Sequence, residues 1–149
     1  MAENWVFTHA MDNLAAGNIA VGVNSFRVAL LSTLPAAAVQ DTANVWGDIS
    51  SNELAAGGGY TAGGQAITLT HAIYVTGGVH RAVVSGPPNS QWASATFSAV
   101  GAVVYRSDGT NLYLTNLVDF GGVKTSSGGT FQITWDSVNG VFYLGNTPF

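Results

Sequence analysis

Phe131, Ile133 and Trp135 alternate with Gln132, Thr134 and Asp136. A two-residue period puts the apolar side chains on one face of an extended strand and the polar ones on the other. Such a strand must bury its apolar face against a second layer, and comparable runs recur along the chain. Phe26 to Ser32 is one, with Pro35 beyond it. Ala66 to Thr76 and Val79 to Ser85 flank the turn signal Gly77-Gly78, and Gly86-Pro87-Pro88-Asn89 is a strong break. Thr96 to Arg106 and Leu112 to Phe120 flank Ser107-Asp108-Gly109-Thr110, whose Asp-Gly marks a hairpin turn. Gly121-Gly122 and Ser126-Ser127-Gly128-Gly129 bracket an expected loop around Lys124, and Val141 to Leu144 closes the series after Asn139-Gly140. The expected fold is mainly β, an antiparallel β-sandwich or jelly-roll-like domain.

The start of the chain reads differently. Phe7, Ala10, Met11 and Leu14 recur at helical spacing. Asn4 or Thr8 is in place to cap a short N-terminal helix and Gly17 to end it. Residues 1–18 are therefore expected as an N-terminal arm and helix on a single domain spanning 1–149, a length typical of one domain. Residues 36–64 show little periodicity and read as a long connection centred on the glycine cluster 57–64.

Charge is scarce. Asp, Glu, Lys and Arg make up 8% of the chain, against roughly 25% in ordinary soluble domains. Arg27, Arg81, Arg106 and Lys124 are scattered, so no cluster of cations is available to neutralise phosphates or an anionic membrane surface. Neither nucleic acid nor membrane is an expected partner. A hydrophobic share of 47% argues against disorder, and no apolar run approaches the roughly 18 residues of a membrane span. Met1-Ala2-Glu3-Asn4-Trp5 lacks the basic start and apolar run of a secretion signal. What remains is a folded domain with a neutral surface. Charge is depleted at the cores of protein interfaces, so this composition favours packing against other chains.

Catalytic and binding motifs are weak. There is no cysteine, hence no disulfide, thiolate metal site or thiol nucleophile. His9, His71 and His80 lack metal-ligand spacing, although a hairpin turning at Gly77-Gly78 is able to bring His71 and His80 face to face. Asp119 and Asp136 fall in neighbouring strands and are the one conceivable acid–base pair. The glycine cluster 57–64 has no lysine to reach phosphate oxygens; its glycines read as permitting close backbone approach around Tyr60. No G-x-S-x-G elbow occurs. The chain is read as a non-enzyme that needs no metal or cofactor.

Three blocks occur in a distinctive order. Trp46-x-Asp48-Ile49-Ser50-x-x-Glu53 leads into Gly59-Tyr60-Thr61-Ala62-Gly63-Gly64 and Ile67-Thr68-Leu69. Trp92-Ala93-x-x-Thr96-Phe97-Ser98-Ala99 precedes Ala102-Val103-Val104-Tyr105. Val118-Asp119-Phe120-Gly121-Gly122-x-Lys124 precedes Ser127-Gly128-Gly129-Thr130-Phe131-Gln132-Ile133-Thr134-Trp135. This order, over roughly residues 26–144, resembles small structural proteins of tailed bacteriophages, of the capsid decoration (cement) or head-associated kind. The Trp5-Val6-Phe7 start lies outside the pattern.

The resemblance implies a β-sandwich protein on the outer capsid surface of a virion assembled in the host cytoplasm. Its implied partners are further copies of itself, often as a trimer, and the major capsid protein; it carries over no catalytic residues. Interface energy concentrates in a few large anchors, and Trp5, Phe7, Trp46, Tyr60 and Phe149 are the expected ones. A tail or head-fibre protein that binds a host glycan through exposed tryptophans is the alternative. A glycan hydrolase using Asp119 and Asp136 is the third reading.

Overall fold

The computed structural model describes residues 3–145; Phe149, expected as an anchor, lies outside them. In chain order the elements are β1 (Glu3–Val6), α1 (Thr8–Ala15), β2 (Phe26–Leu31), α2 (Ala37–Thr42), 3-10 turns at Trp46–Asp48 and Ser50–Asn52, β3 (Gln65–Ile67), β4 (Thr70–Thr76), β5 (Val79–Ser85), β6 (Asn89–Arg106), β7 (Leu114–Thr134) and β8 (Phe142–Gly145). They make two antiparallel sheets, a five-stranded one in the order β1-β7-β6-β2-β3 and a three-stranded one in the order β4-β5-β8. The fold is mainly β and sandwich-like.

The core sits on the middle of the larger sheet. Val28 to Leu31, Gly101 to Tyr105 and Leu114 to Val118 are buried at every position, so both faces of this patch are covered. Val28 to Leu31 and Ala102 to Tyr105 accordingly read as unbroken apolar runs, whereas Leu114 to Val118 buries Thr115 and Asn116 with hydrogen-bond partners. Phe7, Ala10 and Ile19 from the N-terminal region join the same core, as do Val84, Val141 and Phe142 from around the smaller sheet. Phe131, Ile133 and Trp135 are each 7% exposed, as their alternation requires.

The N-terminal segment is built into the domain. Trp5 and Val6 belong to a strand, not a helix: β1 pairs with β7, Asn4 opposite Val118 and Trp5 opposite Leu117. Asn116, fully buried, donates from Nδ2 to Asn4 Oδ1 (2.9 Å) and to the Val141 carbonyl (3.1 Å), tying β1 to β7 and to the residue before β8. Helix α1 follows, flanked by Phe7 and without a side-chain cap. Its inner face carries Ala10 and Asn13, while Met11 is half exposed. Asn13 donates to Asn44 Oδ1 (2.7 Å) and accepts from Asn18 Nδ2 (3.0 Å), so its buried amide is paired.

The loop expected around Lys124 is strand. β7 runs unbroken from Leu114 to Thr134 beside β6. The pairing steps from Gly101 opposite Asp119 to Ala99 opposite Lys124, so that Phe120 to Val123 in β7 face the single residue Val100 in β6. A second shift falls between Ala95 opposite Gly129 and Thr96 opposite Ser127. The glycine pairs mark bulges, which bend a ladder without ending it. Beyond the reach of β1 and β2, β6 and β7 continue as a two-stranded ribbon. Trp92, Phe97, Phe120, Phe131 and Tyr60 form a contiguous aromatic cluster along it, with successive ring centroids 5.1–6.4 Å apart.

Candidate interaction surfaces

Two of the expected anchors face inward. Phe7 and Tyr60 are 1% and 3% exposed and belong to the core of their own chain, so neither is available to a partner. Core packing claims them because they are large apolar groups whose side chains point to the sheet from segments that close over it. Trp46 is half-buried and stacks on Tyr105, with centroids 4.8 Å apart and planes 7° from parallel. Trp5 is half-buried in β1.

The block from Trp46 to Gly64 works instead as a clasp on β2. The Glu53 carboxylate accepts hydrogen bonds from the Tyr60 hydroxyl (2.8 Å) and the Gly63 backbone N–H. The same hydroxyl accepts from the Leu30 N–H (3.1 Å). Arg27 donates to the carbonyls of Gly63 (3.2 Å) and Gly64 (2.7 Å), and the Tyr105 hydroxyl donates to Gly63 (2.6 Å). Burial, reinforced by Glu53, raises the Tyr60 hydroxyl far above the ordinary tyrosine range, so it remains a donor. Burial likewise raises Tyr105. Gly64 makes the contact possible: a Cβ there would stand 1.9 Å from the Val28 carbonyl oxygen.

Four aspartates are occupied by local structure. Asp136 Oδ1 accepts from the backbone N–H groups of Val138 (2.7 Å) and Asn139 (2.8 Å), which lower its pKa. Asp119 accepts from the Gly121 N–H (2.8 Å). Asp136 borders a hollow of about 360 Å³ beside Asn4, Trp5 and Phe142, and Asp119 does not line it. Asp48 is lowered by the N–H groups of Val45 and Asn44. Asp108 is lowered by Arg106, its partner at 2.6 Å. These are strand-end and turn roles. His71 and His80 do not meet across their hairpin: His71 is opposite Val84, and His80 is opposite Val75.

The exposed apolar surface lies on the three-stranded sheet. Of eight large apolar side chains exposed among the described residues, Ile73, Val75, Val79 and Tyr143 belong to this sheet. Every β4 residue except Tyr74 is exposed. Residues opposite one another in an antiparallel pair share a face. One face therefore carries the row Ile73, Ala82, Leu144 and the pair Val75, His80. Ile73 is 84% exposed and Val75 58%, so this face is bare. On the other face the Arg81 guanidinium lies over the rings of Tyr74 (5.6 Å) and Tyr143 (4.7 Å) and donates to Asn139 Oδ1. The missed signal was in β4 itself. Thr70-His71-Ala72-Ile73-Tyr74-Val75-Thr76 has apolar residues at both parities, which calls for cover on both faces, and the fold leaves one open.

Protein-family models, curated proteins and solved structures were all compared with this chain, and none matches it.

Proposed function

We propose that this chain is a structural protein of a bacteriophage virion, an oligomeric capsid cement protein that adds buried contact area between shell subunits. The observation that carries this reading is the bare apolar face of the three-stranded sheet, with Ile73 and Val75 on its outer strand. A contiguous exposed apolar patch on a folded domain marks an interaction site. The chain's 8% charged content suits neutral contacts with further copies of itself, in a trimer, and with the major capsid protein. The order of its three sequence blocks points to a phage shell as the setting.

A reconstruction of the particle whose genome encodes this chain is the test. Density for the β-sandwich is expected on the outer capsid surface, at positions repeated by the shell's symmetry. A shell without it, or the chain found only in the tail, overturns the proposal. The glycan-binding alternative draws less support. It relies on exposed tryptophan rings, whereas Trp92 and Trp135 are buried and Trp5 and Trp46 half-buried.

A further inference from the structure

The outer edge of β4 is unlike the other sheet edges among the described residues. β1, β3 and β8 have only four, three and four residues, and β1 carries Glu3. The outer side of β7 beyond β1 is interrupted by three register shifts and carries Lys124, and that of β6 beyond β2 shares those shifts and is met at Thr96 by the Gly58 carbonyl. Shortness, charge, bulges and proline are the devices by which natural sheets stop their edges from pairing with other chains. β4 has none of them. Its seven residues pair with β5 without a break from Thr70 opposite Ser85 to Thr76 opposite Val79, and they include no proline, Lys, Arg, Asp or Glu. Threonine, isoleucine, tyrosine and valine are strand-favouring residues.

We propose that the β4 edge pairs antiparallel with β4 of a second copy of this chain, joining two three-stranded sheets into one of six strands about a two-fold axis. The sequence of β4 is self-complementary when Ile73 lies on that axis. Thr70 then meets Thr76, His71 meets Val75, Ala72 meets Tyr74 and Ile73 meets its own counterpart. Threonine pairs at the ends, a branched pair at the centre and a small residue beside the large ring are favourable cross-strand neighbours. No like charges are opposed. The contact is isologous and so closes on itself. It adds one two-fold contact per chain to whatever assembly the rest of the surface makes. It goes beyond the cement reading and does not depend on a shell.

The chain has no cysteine, so Ile73→Cys introduces a single thiol. Directly opposed Cβ atoms in an antiparallel pair stand about 4.5–5.5 Å apart, close enough for a disulfide to form with slight adjustment. Mild oxidation is expected to convert most of the full-length Ile73→Cys protein to a covalent dimer. Val79→Cys, exposed on the neighbouring strand, is expected to cross-link at least tenfold more slowly. Ile73→Lys places two ammonium groups face to face and is expected to lower the number of copies seen by sedimentation. Ile73 is 84% exposed, so neither change at this position opens the core. Cross-linking no faster than that of Val79→Cys, or a copy number that Ile73→Lys leaves unchanged, overturns the proposal. Either failure leaves the shell reading standing, because that reading is decided by the particle reconstruction.

Discussion

Gly64→Ala is expected to destabilise the domain by on the order of 4 kcal/mol, a loss that few mechanisms reach, an unrelieved clash with packed backbone among them. Gly64 has φ +77°, and an added Cβ would stand 1.9 Å from the Val28 carbonyl oxygen and 2.7 Å from the Ala29 Cα. These are backbone atoms of a fully buried stretch of β2, so no side-chain rotation relieves the clash. The loop must lift away, and the Arg27 bonds to Gly63 and Gly64 go with it. Gly22→Ala is the control. Gly22 has φ +85° and open space around the site, so only backbone strain of about 1 kcal/mol is expected. Urea denaturation of both variants measures the difference. Equal losses would mean that the loop does not press on β2 as described.

Phe131→Ala is expected to cost about 3–5 kcal/mol, the usual range for deleting a buried phenyl ring. Phe131 is 7% exposed and touches three aromatic neighbours, with centroids 6.1 Å from Trp92, 5.1 Å from Phe97 and 6.0 Å from Phe120. The ribbon made by the outer parts of β6 and β7 has no third strand, and a lone two-stranded ribbon is marginal in water. Its order therefore depends on this cluster. Amide hydrogen exchange in the variant is expected to lose protection first at residues 89–99 and 124–134, while 101–105 and 114–118 stay protected. A uniform loss across both regions would show that the ribbon opens only with the whole domain.

Much of this fold is legible locally. Gly77-Gly78 separates β4 from β5, with both glycines at positive φ as a two-residue hairpin turn requires. The alternation around Ile133 places its buried face correctly. The glycine cluster before β3 does bring backbones together around Tyr60. What sequence reading missed depends on distant partners or on an ambiguous residue. Glu3 to Val6 is a strand only because residues 116–119 lie beside it, and nothing within four residues announces a neighbour so far along the chain. Glycine marks bulges as readily as turns, so β7 looked like two strands and a loop.

Phe7 and Tyr60, expected as anchors, are buried for a related reason. Selecting the largest aromatic side chains selects the groups that the core needs most, and Phe7 and Tyr60 went there. The exposed groups are the medium-sized Ile73 and Val75, on a strand with apolar residues at both parities. That doubled pattern, more than aromatic size, was the useful signal.

Sedimentation velocity of the full chain at low and high salt tests directly whether this domain works by neutral, apolar association. Raising the salt from about 0.1 M to about 1 M shortens the screening length from roughly 10 Å to roughly 3 Å and weakens charge-driven contacts. The same oligomer is expected at both concentrations. A protein that is monomeric throughout, or an oligomer that dissociates in high salt, would contradict this.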